Sequence, residues 1–406
     1  MSVYKTRANN HNSAWVMITP CLGVVRGFGR RGIPVVYIDS ERVSVARYSK
    51  YICRRLKCPS PSESEAGFIS ALLDFGKQLD SRIVIIATAD EYVLALSKHK
   101  KELEQFYIIP LPSFKIIQSL VSKKRLYRLL AEMRIPYPKT YFPNSSEELR
   151  SMGREVDYPY IIKPEYSLDF QKKFLRKCLV IKSPKQLDWA ADKLKDKDLE
   201  VMIQEIIPGR ELYNVCGYFN QKSEPVAVCG WDKIRQYPPD FGSGTYCISR
   251  WRTSPIDQVT RFLKSVGYYG VGEVELKKDP RDDVYKLIEV NARTTSQNRL
   301  AAACGVDAEY IAYLDANGYC IEDQTHQCDN IIWVDDFTDF LSCLIGLKRR
   351  NTTVAEVFRL WKAKKVHSIV AWDDPVPVVA RIINLGKRAL HLLLNILFRV
   401  LRQSRV

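Results

Sequence analysis

The chain has 406 residues, 46% hydrophobic and 27% charged, with a formal net charge of +16. That is enough apolar material for two or three packed domains, which excludes a globally disordered chain. The positive balance favours polyanionic neighbours, whether nucleotide phosphates, nucleic acid or anionic lipid, and does not choose among them.

Eleven cysteines stand singly with no CxxC pair, and five histidines offer no zinc spacing, so reduced and mostly buried thiols are expected. The N-terminus carries only a five-residue apolar run with no small-residue cleavage site after it. It does not read as a signal peptide, and a cytoplasmic protein follows as the expectation. There is no RNA-binding aromatic signature and no low-complexity basic arm, so nucleic acid is not expected as a partner.

From residue 15 to about 112, short apolar runs alternate with helical stretches: "WVMIT", "IPVVYID", "RIVIIAT" and "FYIIPLP". The pattern predicts a parallel α/β domain. Gly27-Phe28-Gly29-Arg30-Arg31-Gly32 matches the dinucleotide fingerprint GxGxxG, but it closes a helical stretch and leads into a strand, whereas the fingerprint must follow a strand and open a helix. Gly32 is therefore predicted to end the helix.

The texture then changes, and a second domain is expected to start near Pro112. Leu126, Leu129, Leu130 and Met133 fall at helical spacing, followed by an Ile-Pro-Tyr-Pro linker that must be extended. Lys163 ends the strand-like run "YIIKP", and a lysine delivered by a rigid strand suits a phosphate. Lys123, at the head of the preceding helix, is the weaker candidate, with a solvated helix lysine as the plain alternative. In "VMIQEIIPGREL", Gln204 and Glu205 close a strand, Pro208-Gly209 turns the chain and Glu211 restarts it. An apolar hinge with available backbone groups suits a purine, and a nearby carboxylate suits ribose hydroxyls; a simple strand, turn and strand is the alternative. Lys233 and Arg235 follow at strand spacing, which predicts one shared face.

The segment "GVGEVELKKDPRDDVYKLIEVNAR" reads as a β-hairpin turning at "DPRDD". If it folds symmetrically about Asp282, opposed residue numbers sum to 564, setting Glu275 opposite Glu289 and Glu273 opposite Asn291. Period-two alternation places Leu287, Glu289 and Asn291 on one face, with Arg293 next in line. Directly opposed like charges cost a few tenths to about 1 kcal/mol. A hard divalent cation, Mg²⁺ or Mn²⁺, would neutralise them; the alternative is a solvated face with Lys277 and Lys286 as counter-ions.

The chain closes with a stretch in which Arg381, Asn384, Arg388, His391, Asn395, Arg399 and Arg402 draw a polar stripe at steps of three or four. From Val376 onward there are six Lys or Arg and no Asp or Glu, and no apolar run exceeds three residues. Such a helix either lies on an anionic membrane surface as a peripheral contact, or docks on the protein's own core or on the partner in a homodimer.

Taken in order, these elements resemble the ATP-grasp superfamily over roughly residues 15 to 320, most nearly its carboxylate-amine ligase-like members, whose relatives include D-alanine:D-alanine ligase, D-aspartate ligase and biotin carboxylase. The resemblance implies an α/β chain: a Rossmann-like pre-ATP-grasp domain (1–112), a two-lobed α+β ATP-grasp domain (113–320, lobes about 113–200 and 201–320), and a C-terminal helical region (321–406). It implies phosphate contacts at Lys123 and Lys163, an adenine hinge at Gln204, Glu205, Ile206 and Ile207, and a ribose contact at Glu211. It implies metal ligands at Glu275, Glu289 and Asn291, a substrate-gripping arginine at Arg293, and charge stabilisation from Lys233 and Arg235.

The function implied is ATP- and Mg²⁺-dependent joining of a small carboxylate to an amine through an acyl phosphate. Two competing readings stand beside it: ligation onto a membrane-associated glycan or lipid precursor at the inner membrane surface, and ATP binding without turnover in a regulatory protein. The second is prompted by the loop after Lys163, "PEYSLDFQKKFLRKC", which lacks the glycines that let backbone N–H groups approach phosphate. Lys172, Lys173, Arg176 and Lys177 are the charges that could substitute.

Overall fold

The computed structural model describes residues 14–40, 44–165, 170, 174, 177–194, 200–321, 326–349, 353–355, 357 and 365–387. Strands β1 (Val16–Ile18), β2 (Val35–Asp39), β3 (Ile52–Lys57), β4 (Ile83–Ile86) and β5 (Tyr107–Ile108) form a parallel sheet in the order β3-β2-β1-β4-β5. Its central strands are apolar on both faces, as a sheet flanked by helices requires. Met17 and Ile85 enter one core, while Val16, Ile18, Val84 and Ile86 enter another. The glycine fingerprint sits at the end of the helix Leu22–Gly29, and Gly32 adopts φ +73° just beyond it. This is a helix end, reached through the left-handed conformation that glycine adopts without penalty.

A second, antiparallel sheet contains β6 (Thr140–Tyr141), β7 (Tyr160–Pro164), β8 (Leu179–Ile181) and β9 (Val201–Glu205), ordered β6-β9-β7-β8. Tyr160, Ile162, Ile181 and Ile203 pack beneath the helices Ser146–Glu155 and Pro184–Leu194. Alternation then turns Lys163 and Gln204 to the opposite face. Charge and amide are thus kept off the helical side.

The third sheet has seven strands: β10 (Leu212–Phe219), β11 (Pro225–Tyr237), β12 (Ser243–Ser249), β13 (Gly270–Asp279), β14 (Val284–Asn291), β15 (Ile332–Val334) and β16 (Lys365–His367), in the order β14-β13-β10-β11-β12-β15-β16. All pairings are antiparallel except β15 with β16. The helix Lys123–Glu132 buries Leu126, Tyr127 and Leu130 in a core that runs from Met17 and Ile85 of the first sheet to Val274, Leu287 and Val290 of the third. The expected extended linker follows it, and the carbonyl of Pro136 accepts a 2.8 Å bond from the Leu287 amide at the β14 edge.

The hairpin departs from the symmetric expectation in one respect. Beside the turn, Leu276 opposes Leu287 and Asp279 opposes Val284, so those numbers sum to one less than 564; beyond Ile288 the sum becomes 564. Ile288 is therefore a bulge, and its carbonyl accepts a 2.8 Å bond from the Tyr127 hydroxyl. The extra residue reverses the alternation. Tyr285 and Leu287 share the core with Val290 and Ala292, and Leu287 does not share a face with Glu289.

Of the C-terminal stripe, residues 376–387 are helical, whereas Arg388, His391, Asn395, Arg399 and Arg402 lie outside the described residues. The helix is held at its start by Asp374. Arg26 donates through Nε to its carboxylate at 2.9 Å, the Ser49 hydroxyl at 2.7 Å and the Lys50 amide at 3.0 Å. Arg26 and Asp374 side chains are 3% and 1% exposed. Removing one partner of a buried pair strands the other charge at a cost of about 3–5 kcal/mol. Asp374→Ala is expected to destabilise the protein by that order in urea denaturation, with Asp374→Asn losing less because it keeps acceptor capacity.

Candidate functional site

The β13–β14 register pairs Glu275 with Glu289 and Glu273 with Asn291. On the other side of β13, Asn214 of β10 stands opposite Glu275. Three strands therefore bring oxygen-bearing side chains to one sheet face, where cross-strand neighbours have Cβ atoms roughly 5 Å apart.

Different cations balance the two opposed carboxylates. Glu275 accepts a 2.7 Å bond from Nζ of Lys233, whose side chain is 4% exposed. Burial disfavours the charge of that lysine, but Glu275 outweighs it and the net pKa is raised. Glu289 is exposed. The surrounding protein opposes its charge, and Lys123, Lys163, Lys177 and Arg293 together overcome this, holding its pKa below the usual carboxylate value. Of the counter-ions offered by the solvated-hairpin reading, Lys286 pairs with Asp279 at 2.5 Å, while burial lowers the pKa of Lys277, with Asp240 and Glu275 pulling the other way.

Lys163 reaches across from the small sheet and donates to Oε1 of Gln204 at 2.9 Å, while Gln204 donates to the Thr140 hydroxyl at 2.9 Å. Burial lowers the Lys163 pKa, with Glu289 pulling the other way. Lys123 donates to the Glu165 carbonyl at 3.3 Å, next to the start of the loop that lacks glycine. In that loop Lys172, Lys173 and Arg176 lie outside the described residues; Lys177 is exposed and contacts the Ser243 hydroxyl at 3.3 Å.

At the hinge, Ile206 is half-buried, Ile207 is buried and Glu211 is exposed. The side chain of Glu205 braces two segments, accepting from the Lys139 amide and from Arg281 of the hairpin turn, both at 2.8 Å. Gln204 and Glu205 thus spend their side chains on structure.

Arg293 donates through Nε to Asp90 at 2.6 Å and through an Nη to Oδ1 of Asn291 at 3.0 Å. Asp90 begins the helix Asp90–Lys98 of the first domain, so this contact joins the N-terminal sheet to the site. Lys233 and Arg235 do not share a face. Ile234 is an extra residue in β11, so Lys233 opposes Cys247 and Arg235 opposes the adjacent Tyr246. Arg235 lies 4.2 Å over the Tyr246 ring and forks onto Asp339 at 2.9 and 2.6 Å.

Sequence reasoning passed over Glu273. It is 4% exposed, and burial raises its pKa. It accepts from the Asn214 amide at 3.0 Å, the Thr295 hydroxyl at 2.6 Å and the Asn291 amide at 3.4 Å. Those bonds turn the amide nitrogens of both asparagines toward Glu273 and so their oxygens away. Asn214 Oδ1 is buried with no donor among the described residues. Glu275, Glu289 and Asn291 Oδ1 are hard oxygen donors, and the unsatisfied Asn214 oxygen lies beside them, so the residues fit a small hard cation. Among the described residues no three His, Cys, Asp or Glu side chains form a metal-holding group by themselves. An amide oxygen or the bound anion must complete the set. The pairing to Asn291 was the available signal for Glu273; its isolation from solvent depends on Thr295 and Asn214, which are distant or unremarkable in sequence.

No protein-family model matches the chain. It is similar to D-aspartate ligase of Enterococcus faecium, 24% identical over 272 residues, covering 63% of this chain and 64% of that one. The chain thus spans a little under two thirds of that relative's length. Among solved structures it is similar to the biotin carboxylase–β,γ-ATP complex of Campylobacter jejuni, with TM-score 0.62 and 17% identity, covering 79% of this chain and 74% of that one. It is also similar to L-amino acid ligase of Bacillus licheniformis, with TM-score 0.58 and 14% identity, covering 77% and 76%.

The loop after Arg293 rests on a buried carboxylate. Thr294 donates through its hydroxyl to Glu309 at 2.8 Å, and burial, helped by Asp307, pushes the Glu309 pKa up to about 7. A folded-state pKa above the unfolded one means the folded protein binds more protons between those values. Stability is therefore expected to fall as pH rises from roughly 4.3, the ordinary glutamate value, toward 7. Glu309→Gln should flatten that slope in thermal melts taken across this pH range.

Proposed function

We infer that this chain, an ATP-grasp protein by its fold, is an ATP- and Mg²⁺-dependent carboxylate-amine ligase. The observation that carries the reading is the opposed pair Glu275 and Glu289, with the charge of Glu289 favoured by Lys123, Lys163 and Lys177. Carboxylates set among lysines suit a metal-bound polyphosphate, which needs both signs of charge in register. The similarities to a ligase of D-aspartate and to L-amino acid ligase, and the nucleotide in the biotin carboxylase complex, support the same reading.

In this reading the terminal phosphoryl group of ATP passes to a substrate carboxylate oxygen. The amine then attacks the acyl carbon, forming the carbon-nitrogen bond as the bond from carbon to the phosphorylated oxygen breaks, and phosphate and ADP leave. Lys123 and Lys163 bind phosphate oxygens, with Gln204 holding the Lys163 ammonium in place. The backbone at Ile206 and Ile207 lines the adenine, and Glu211 takes the ribose. Glu275, Glu289 and Asn291 would hold the metal, with Lys233 orienting Glu275. When bound, Mg²⁺ supplies charge neutralisation at the transferring phosphoryl group. Arg293 grips the substrate carboxylate or acyl phosphate, after exchanging its contact with Asp90. Arg235, engaged with Asp339, supports the β11–β12 wall and is withdrawn from the reacting centre.

The test is ADP release from Mg-ATP over pairs of amino acids and small carboxylates. The reading expects release that requires one acid together with one amine. Glu289→Gln should lower it by about 10²-fold or more, the loss typical of an electrostatic contact at a reacting centre. Near-normal turnover in that variant would remove Glu289 from the metal site.

A further inference from the structure

Beyond Glu275, strand β13 carries another charged side chain on the same face. Leu276 enters the core, so alternation returns Lys277 to the side of Glu275. The neighbouring strand agrees, because β10 sets Asn214 opposite Glu275 and Leu212 opposite Lys277 without a break in register. On β14 the residue opposite Lys277 is Lys286. An opposed pair of carboxylates is therefore followed along the hairpin by an opposed pair of ammonium groups.

The two lysines are treated differently. Lys286 pairs with Asp279 at 2.5 Å. Lys277 is half-buried and makes no hydrogen bond or ion pair among the described residues. Three carboxylates act on it, Asp240, Glu275 and Asp279, and each already holds a closer cation. Asp240 takes Arg349 at 2.8 Å, Glu275 takes Lys233 at 2.7 Å, and Asp279 takes Arg281 as well as Lys286. Like charges set opposite each other on a sheet cost stability, and a half-buried ammonium without an anion adds to that cost. The fold keeps this charge without supplying its partner, which suits an anion that arrives with a ligand.

The place of Lys277 along the strand decides which part of a ligand it meets. Two residues of strand advance about 7 Å, so Lys277 stands that far from Glu275 toward the hairpin turn. At that level the Lys278 amide donates to the Glu211 carbonyl at 3.0 Å, and Arg281 of the turn donates to Glu205, at the end of β9, at 2.8 Å. Lys277 thus lies between the carboxylates assigned to the metal and the segment assigned to ribose and base. A metal ion on a nucleoside triphosphate bridges its β- and γ-phosphates, and the phosphate between these and the ribose is the α-phosphate. We propose that Lys277 binds the α-phosphate of the nucleotide, a contact common to ATP, ADP and AMP. The proposal rests on the nucleotide reading given above.

The experiment is displacement of a fluorescent ATP analogue by Mg-ATP, AMP and adenosine, using the full chain and Lys277→Met, which keeps an unbranched apolar stem without the charge. The parent is expected to bind AMP at least about tenfold more tightly than adenosine, the gain typical of a charge-assisted hydrogen bond. Lys277→Met should erase that difference and weaken ATP by a similar factor, while leaving adenosine unchanged. It should also melt no lower than the parent, since it removes a like charge opposite Lys286. The assignment is overturned if the parent binds AMP no better than adenosine, or if parent and variant bind AMP equally. It is overturned too if the variant loses adenosine or melts lower, because either result makes the lysine structural. A parent that binds neither ATP nor its analogue removes the nucleotide reading and this proposal with it; ATP binding that the variant leaves intact removes the proposal alone.

Discussion

Two carboxylates held opposite each other on neighbouring strands, Glu275 and Glu289, are the constraint around which the cleft is arranged. Left to themselves they would push the hairpin apart by up to about 1 kcal/mol. The fold answers them with different cations. Lys233, buried on β11 of the same sheet, takes Glu275; Lys163, brought across on β7 of the facing sheet, acts with Lys123 and Lys177 on Glu289. The first arrangement is a closed ion pair. The second is a charge balance in which Glu289 holds no direct ion pair with these lysines among the described residues, the arrangement that binding a metal-bound anion would call for.

Both bulges serve this arrangement. Ile288 lets β14 commit Tyr285 and Leu287 to the core near the turn, and then continue with Val290 in the same core while Glu289 meets Glu275. Ile234 does the equivalent on β11, keeping Lys233 on the carboxylate face and sending Arg235 to Asp339 and Tyr246 on the other. In each case one inserted residue changes which face the next side chain serves. The contact from Arg293 to Asp90 and the buried Asp374 clamp then join the first domain to the segment after Asn291 and to the start of the C-terminal helix.

Much of this was legible in the sequence, for a definite reason. Period-two alternation and a turn rich in Pro and Asp locate the hairpin and its opposed carboxylates from local signals alone. The GxGxxG decoy was readable by its place between helix and strand. The failures share a cause: the bulges at Ile234 and Ile288 have no residue signature, so Arg235 was expected beside Lys233, and Leu287 on the face of Glu289. The role of Glu273 was hidden because its burial comes from Asn214 and Thr295, on other elements. The Gln204 side chain gave no sign that it would brace Lys163, since β7 and β9 become neighbours only in the folded sheet.

The central claim is that the cleft binds a nucleotide polyphosphate together with a divalent cation, each requiring the other. Calorimetric titration with ATP, in the presence and absence of Mg²⁺, tests it most directly, using the parent chain and Glu275→Gln/Glu289→Gln. The account predicts that Mg²⁺ tightens ATP binding by at least about tenfold, or 1.4 kcal/mol, in the parent and that the double variant loses this gain. Equal ATP affinity with and without Mg²⁺ in the parent, or an undiminished Mg²⁺ effect in the double variant, would contradict it.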